Sequence, residues 1–128
     1  MFVSLALLLI IIFLLFVLSM VWPPDSPWAP WWRTSKKTAR AICRLAKVNK
    51  NDVVYDLGSG DGTALIVAAK EFGARGVGIE IDPLRAFVSR FLIGVNGVSG
   101  KIKIILGNFF EQDLSKATVV FTYLVPKT

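Results

Sequence analysis

The residues best placed to do chemistry lie between Val53 and Thr63, in the run V-V-Y-D-L-G-S-G-D-G-T. An apolar run stops at Asp56, and Gly58, Gly60 and Gly62 then alternate with small polar residues. Ala64, Leu65, Ala68, Ala69 and Phe72 follow at helical spacing. This reads as a strand, a tight turn and a helix start, the unit that binds nucleotide-like ligands in open α/β sheets. Glycines in such a turn permit positive φ and let the backbone approach a ligand closely. A dinucleotide fingerprint has its third glycine where this chain has Thr63. G-x-G-x-G with an acid two residues before it suits a ligand without a pyrophosphate. A carboxylate at Asp56 repels phosphate and welcomes an ammonium or sulfonium group.

A second acid follows at the right distance. Val77-Gly78-Ile79-Glu80-Ile81 reads as the next parallel strand, reached through a right-handed helical crossover. Glu80 at its C-terminal end is placed to accept hydrogen bonds from both hydroxyls of a ribose. Asp82-Pro83 is an N-cap with a first-turn proline, and Leu84, Phe87, Val88, Phe91 and Leu92 keep the spacing of an amphipathic helix. Lys101–Leu106 reads as a third strand, with Gly107-Asn108-Phe109-Phe110 beyond its end, where an amide and an aromatic can read and cover an adenine. Ala117–Leu124 reads as a fourth buried strand, ending in Tyr123, Leu124 and Pro126. Each singled-out residue also has a plain reading: Asp56 as a turn cap, Glu80 as a solvated strand end, Phe109 as core. Together they are more specific, since all fall at C-terminal strand ends, where open α/β sheets bind ligands.

Composition excludes other chemistries. The chain of 128 residues has no histidine and one cysteine, Cys43. That removes a Ser-His-Asp triad, a Cys-His pair, a zinc cluster and an intrachain disulfide, and no metal site is expected. The net charge of +6 is unevenly placed. Residues 1–52 carry seven Lys and Arg against two acids, a net of +5; residues 53–128 carry eight against seven, a net of +1. A nucleic-acid partner needs a basic face on the folded part, which is not supplied, so none is expected.

The elements upstream look like a device for holding the turn at a membrane. Phe2–Trp22 contains no charged residue, and its 21 positions cover roughly 30 Å as a helix, enough to cross a bilayer core. A cleaved signal peptide is the alternative, but no basic segment precedes the run and no small-x-small site closes it. Trp22, Trp28, Trp31 and Trp32 sit where interfacial aromatics belong, and Pro23, Pro24, Pro27 and Pro30 make a stiff spacer. Seven basic residues follow the span and none precedes it, which orients the C-terminal part to the cytoplasm. Thr34 or Ser35 caps a helix running to about Val48, with Lys36, Lys37, Arg40, Arg44 and Lys47 on one side and Ile42, Leu45 and Ala46 on another. The basic side is either a solvated face or a contact for anionic headgroups.

The sequence resembles class I S-adenosylmethionine-dependent methyltransferases, through D-L-G-S-G-D-G at 56–62, Glu80 closing the second strand and G-N-F at 107–109. More narrowly it is similar to the small membrane-anchored lysine methyltransferases related to those acting on adenine nucleotide translocase and the ATP synthase c-subunit, with their prokaryotic relatives. The N-terminal span, the proline-rich link, the basic helix, G-I-E-I-D-P and V-V-F-T-Y-L-V-P support that narrower likeness. The resemblance implies a Rossmann-like, doubly wound parallel sheet and S-adenosyl-L-methionine as cofactor. It implies that Asp56, Gly58 and Gly60 hold the methionine end, with Ser59 in the same turn, Glu80 the ribose, and Asn108 with Phe109 the adenine. Tyr123 is then the catalytic candidate, facing the methyl and the acceptor nitrogen.

The expected organisation is a transmembrane anchor over 1–22, a Pro/Trp-rich linker over 23–33 and a cofactor-binding methyltransferase domain over 34–128. Such folds have seven strands, and four are read here, so the domain is expected to be C-terminally incomplete or completed by another chain covering a bare, hydrophobic edge. The expected function is a single-pass, membrane-anchored methyltransferase acting on a protein lysine, in contact with the bilayer through residues 2–22. Methylation of a small or lipid-like acceptor, and a non-catalytic cofactor-binding membrane module, are the alternatives.

Overall fold

A computed structural model describes residues 2–21 and 34–123 and divides them into two units, an N-terminal helix and an α/β domain. The linker over 23–33, with its tryptophans and prolines, lies outside the described residues, as do Leu124 and Pro126.

Helix α1 runs Phe2–Val21 without a charged residue, and Leu5 through Leu18 carry exposed large apolar side chains. No helix among the described residues qualifies as long and apolar enough to cross a membrane. The transmembrane span expected over 2–22 is therefore not established by the fold.

The domain opens with α2 (Lys36–Leu45). The Ser35 side chain accepts from the Thr38 backbone N–H at 3.1 Å, satisfying one of the helix's orphan donors. Four strands and two more helices follow: β1 (Val53–Leu57), α3 (Thr63–Phe72), β2 (Arg75–Glu80), α4 (Pro83–Val95), β3 (Ile102–Leu106) and β4 (Val119–Thr122). A single 3₁₀ turn over Phe109–Glu111 lies in the connection between β3 and β4. All pairings are parallel, in the order β3-β2-β1-β4. The strand order therefore reverses at β1, between β2 and β4, which is where open α/β sheets form a crevice at their C-terminal strand ends.

Alternation along the strands sorts the core. Val54 on β1 and Ile102 and Ile104 on β3 face one way and pack with α2, α3 and α4; Tyr55, Leu57 and Ile79 face the other way. Helix α3 is buried from Ala64 through Ala69 because it lies between the sheet and α2. Its alanines keep those layers close. The opposite sheet face is covered by Phe109, Leu114 and Ala117 of the β3–β4 connection, rather than by a helix among the described residues. The doubly wound expectation holds there only as a Rossmann-like parallel sheet with its described helices on one face.

Two helices present other sides than their patterns imply. Helix α2 buries Ala39 and Cys43 and leaves Leu45 exposed, because the helix stops there and Val48 fills the core instead. Burial pushes the Cys43 thiol up from its usual range, with the Glu71 charge adding to it. Helix α4 buries Arg85, Ala86, Ser89 and Ile93, while Phe87 and Phe91 point outward.

Candidate active site

The turn after β1 is held by the strand beside it. Backbone N–H groups of Gly58 and Ser59 both donate to the Ile79 carbonyl, at 2.8 and 3.1 Å, and Gly62 N–H donates to the Ser59 carbonyl at 2.9 Å. Gly58, Gly60 and Gly62 have φ of 81, 56 and 81°, left-handed values that side chains resist. A glycine in β2 makes the close approach possible. A Cβ at Gly78 would stand 2.7 Å from both Ser59 Oγ and Ile104 Cδ1, so only hydrogen fits between the turn and the sheet.

Asp56 and Glu80 stand on the helix-bearing face of neighbouring strands, with Gly78 paired to Asp56 in register. Both are buried, at 6 and 4 % exposure. Glu80 is held by the backbone. Its Oε2 accepts from Gly60 N–H at 2.8 Å and its Oε1 from Asp82 N–H at 3.0 Å, which ties the two βα junctions together. Burial raises its pKa; the two backbone bonds and the Arg85 guanidinium pull against that, and Asp82 adds to it. Asp56 has no such help. Burial first, then the Glu80 and Asp61 charges, push its pKa up to about 7, and no hydrogen bond holds its charged form down among the described residues.

Asp61 has a local task as well. Its Oδ1 accepts from the Thr63 hydroxyl at 2.7 Å and the Thr63 backbone N–H at 3.1 Å, which caps α3 where the N-cap residue Gly62 has no side chain. The third strand joins through its exit, where Gly107 N–H donates to the Glu80 carbonyl at 2.9 Å. Asn108 follows directly. Its Oδ1 accepts from Phe110 N–H at 3.0 Å, so the carboxamide is set by the 3₁₀ turn and its Nδ2 keeps donors to spare. Tyr123 lies one residue past the Leu57–Thr122 pair, level with Gly58, and is 54 % exposed.

The structure thus brings Asp56, Gly58, Ser59, Gly60, Glu80 and Asn108 to one end of the sheet, with Tyr123 just past the end of the adjoining strand β4. Phe109 departs from the expectation. It packs with Tyr55, Leu57 and Ile79, on the sheet face opposite the two acids, and its ring lies 4.5 Å from Phe110. The core reading of Phe109 fits that placement better than an adenine cover.

Three residues were missed by sequence reasoning. Gly78 had a signal, since a glycine inside a strand marks a close backbone approach. Asp61 had a weaker one, as a polar residue just before a helix. Arg85 had none in the hydropathy pattern. It is 4 % exposed, with Nε 3.5 Å from Asp82 Oδ2, a cation buried behind the Glu80 junction.

The donor set fits a cationic, diol-bearing ligand. Each Glu80 oxygen uses one lone pair on a backbone N–H and retains another for a hydroxyl. Asp56 is a buried acid that a positive group would neutralise, and Ser59 Oγ is buried with no hydrogen-bond partner among the described residues. A concavity of about 570 Å³ floored by Val53, Tyr55 and Val77 lies at the other, N-terminal ends of the strands. Its rim of Arg75, Lys101, Lys103 and Lys116 lacks the acids that this ligand chemistry requires.

Comparison with known proteins agrees with that geometry. The ANTKMT methyltransferase domain family matches residues 56–128, more than half of the chain and all of the turn. The chain belongs to this family. A protein-lysine N-methyltransferase of Saccharolobus islandicus is 44 % identical over 107 residues, covering 83 % of this chain and 65 % of the relative. The ATP synthase c-subunit lysine N-methyltransferase of Xenopus laevis is 31 % identical over 101 residues, covering 79 % of this chain and 42 % of the relative. Among solved structures, an RNA methyltransferase from Salinibacter ruber bound to S-adenosyl-L-homocysteine shares 46 % identity at a TM-score of 0.73, over 74 % of this chain and 62 % of that one. The chain therefore spans less than two thirds of the length of these relatives. The ligand in the Salinibacter structure is the product form of the cofactor class that the acids and glycines imply.

Proposed function

We propose that this methyltransferase domain binds S-adenosyl-L-methionine and transfers its methyl group to a lysine amine of a protein, from a position anchored at a membrane. The observation that carries the reading is the pair of buried acids, Asp56 and Glu80, on one face of the sheet beneath a three-glycine turn in a chain of this family. S-adenosyl-L-methionine, when bound, supplies a methyl on a cationic sulfur, which an uncharged amine accepts in line. The residues of the chain do the rest. Glu80 would take the ribose diol on the lone pairs that the Gly60 and Asp82 N–H groups leave. Asp56, titrating near 7, would be drawn into its charged form by the positive end of the ligand. Gly58 and Gly60 admit the ligand to backbone distance, and Asn108 Nδ2 has donors for the purine edge. Tyr123, exposed at the end of β4, would line the acceptor side, where a hydroxyl can orient a neutral amine. Positioning of this kind supplies most of the rate when no covalent enzyme intermediate is needed.

A membrane anchor is read from the uncharged run Phe2–Trp22, whose 21 positions reach roughly 30 Å as a helix. The seven basic residues that follow it favour a cytoplasmic domain. On α2, the Arg40 Nε donates to both Glu71 carboxylate oxygens at 2.7 and 2.9 Å, which leaves Lys36, Lys37, Arg44 and Lys47 exposed for headgroups. The relatives named for protein lysines support the acceptor class. An RNA acceptor is the second reading, favoured by the Salinibacter structure's description. The near-neutral charge balance of residues 53–128 argues against it.

The test is direct. Full-length protein incubated with membranes, total protein and RNA and methyl-labelled cofactor should place label on protein lysine, mapped by mass spectrometry. Label confined to RNA, lipid or small molecules would rule the lysine assignment out. Calorimetry should show S-adenosyl-L-homocysteine binding and no NAD binding; the reverse would remove the cofactor reading itself.

A further inference from the structure

The hollow at the N-terminal strand ends is built by the register of the sheet. Val53 pairs with Arg75 and Val77 with Lys103, and paired residues on parallel strands point to the same face. Ile102 and Ile104 face the helices, so Lys101 and Lys103 face away from them, roughly 7 Å apart along the chain. Arg75 is held beside Lys101, because the Gly76 N–H donates to the Lys101 carbonyl at 2.9 Å. Lys116 reaches the same hollow from the β3–β4 connection, whose Leu114 and Ala117 pack on the sheet. Four cations from three segments therefore converge on one concavity of about 570 Å³ with an apolar floor.

Charge and shape select the occupant. Single exposed lysines are ordinary, but these four cations are gathered and no acid lines the hollow. None of them forms an ion pair among the described residues, whereas Arg40 is paired with Glu71 and Arg85 stands beside Asp82. The acids adjoining these segments are engaged with their own surroundings. Asp52 accepts from the Thr118 hydroxyl at 2.8 Å, and Asp113 from the Ser115 N–H at 2.9 Å. A concave cluster of one sign raises the local concentration of anions. Its volume lies in the range of small-molecule sites. A flat bilayer would meet the rim and leave the floor empty. The backbone groups of a sheet face are spent on the ladder, so an acidic peptide finds no main-chain partner there. A polynucleotide needs a basic track longer than one hollow. A compact anion with several charges and an apolar body matches rim and floor together.

We infer that this hollow is a second ligand site, taking a phosphate-rich small molecule of the nucleoside triphosphate class. Its phosphates lie among Arg75, Lys101, Lys103 and Lys116, and its apolar body lies over Val53 and Val77. The inference goes beyond the methyltransferase reading and does not depend on it. The hollow and the glycine turn lie at opposite ends of β1 and β2, and the two acids at the turn stand on the other sheet face, so both sites can be filled at once.

The experiment follows the backbone amides of the full chain by NMR, in nonionic detergent, during titration with magnesium-free ATP. Saturable shifts should appear at Arg75, Val77, Lys103 and Lys116, and not at Gly58 or Gly60. High salt should weaken the binding. Inorganic tripolyphosphate, which lacks the apolar body, should bind about tenfold more weakly. Lys101→Glu with Lys103→Glu should weaken ATP binding by about tenfold or more. Lys50→Glu with Lys70→Glu makes the same charge change at exposed positions outside the hollow and should leave affinity within about twofold. S-adenosyl-L-homocysteine should not displace ATP. The absence of saturable shifts, shifts confined to the turn, displacement by S-adenosyl-L-homocysteine, or equal losses in the two charge variants would overturn the inference. Tripolyphosphate as tight as ATP would overturn it too, since the floor would then contribute nothing. So would tighter binding of hexaglutamate, oligouridylate or phosphatidylglycerol vesicles than of ATP. The shift map of the unaltered chain decides the matter even where a variant fails to fold.

Discussion

The two βα junctions of the domain differ in how they treat a buried acid. After β1, Asp56 has glycines around it and no donor among the described residues, and burial beside Glu80 and Asp61 pushes it toward neutrality. After β2, Glu80 is clamped by two backbone N–H groups, one from each junction, with Arg85 buried behind it. Equal burial therefore produces unequal acids. In the proposed reading the clamped one accepts hydroxyls and the unclamped one meets a positive charge. A ligand with a cation at one end and a diol at the other uses both states at once.

The sharpest break in that comparison is removal of the clamp. Glu80→Ala should weaken S-adenosyl-L-homocysteine binding by roughly 1–3 kcal/mol, read by calorimetry, since two hydroxyls lose a charged acceptor and Gly60 N–H is left unsatisfied. Unchanged affinity would take Glu80 out of the site. Next comes the glycine beneath both junctions. Gly78→Ala puts a Cβ 2.7 Å from Ser59 Oγ and Ile104 Cδ1 and should cost about 1–3 kcal/mol of stability by denaturant titration, with affinity falling alongside. A fully stable variant with native affinity would show that the turn does not need that close approach.

Asp56 makes the comparison sensitive to pH. Its pKa rises on folding, so between its ordinary value and about 7 the native state holds a proton that the unfolded chain releases. Its contribution is thus present at low pH and is lost as pH rises through about 7. Ligand-free protein should lose stability over that window, and Asp56→Asn should flatten the loss. Cofactor binding should show the opposite slope. It needs the carboxylate, so affinity should fall by up to about tenfold per unit below about pH 7, with protons released on binding, read as a buffer-dependent heat. Arg85 separates the junctions more gently. Arg85→Gln should shift the acid limb of the binding profile upward through Glu80, whereas Arg85→Lys should keep it. Identical profiles would make Arg85 structural only. The smallest effect belongs to Arg40→Ala, about 0–1 kcal/mol of stability, because its pair with Glu71 is more than a third exposed.

Legibility in the sequence followed how local each determinant is. The strand–turn–helix at Val53–Phe72 was readable because glycine conformation, strand termination and helical spacing act within a few residues. Ser35 and Asp82 were readable as caps for the same reason, and both form. The face of α4 was not. Leu84, Phe87, Val88, Phe91 and Leu92 have the spacing of a packed stripe, yet Phe87 and Phe91 are turned out and Arg85 in. Periodicity states that a stripe exists and is silent about which neighbour, if any, receives it. Phe109 fell to the same ambiguity, since an aromatic past a strand end suits a ligand and a sheet face equally well.

What the sequence determined by itself was the ligand chemistry: two acids at C-terminal strand ends, glycines at a turn too short for a pyrophosphate fingerprint, and no histidine to support other mechanisms. These are statements about residue types and short spacings, and local physics enforces them. Tertiary structure alone decided the strand order β3-β2-β1-β4, the clamp that joins Gly60 and Asp82 on one carboxylate, and the burial of Arg85 behind it. Each depends on which elements pack side by side, a matter of burial and hydrogen-bond satisfaction across the whole domain.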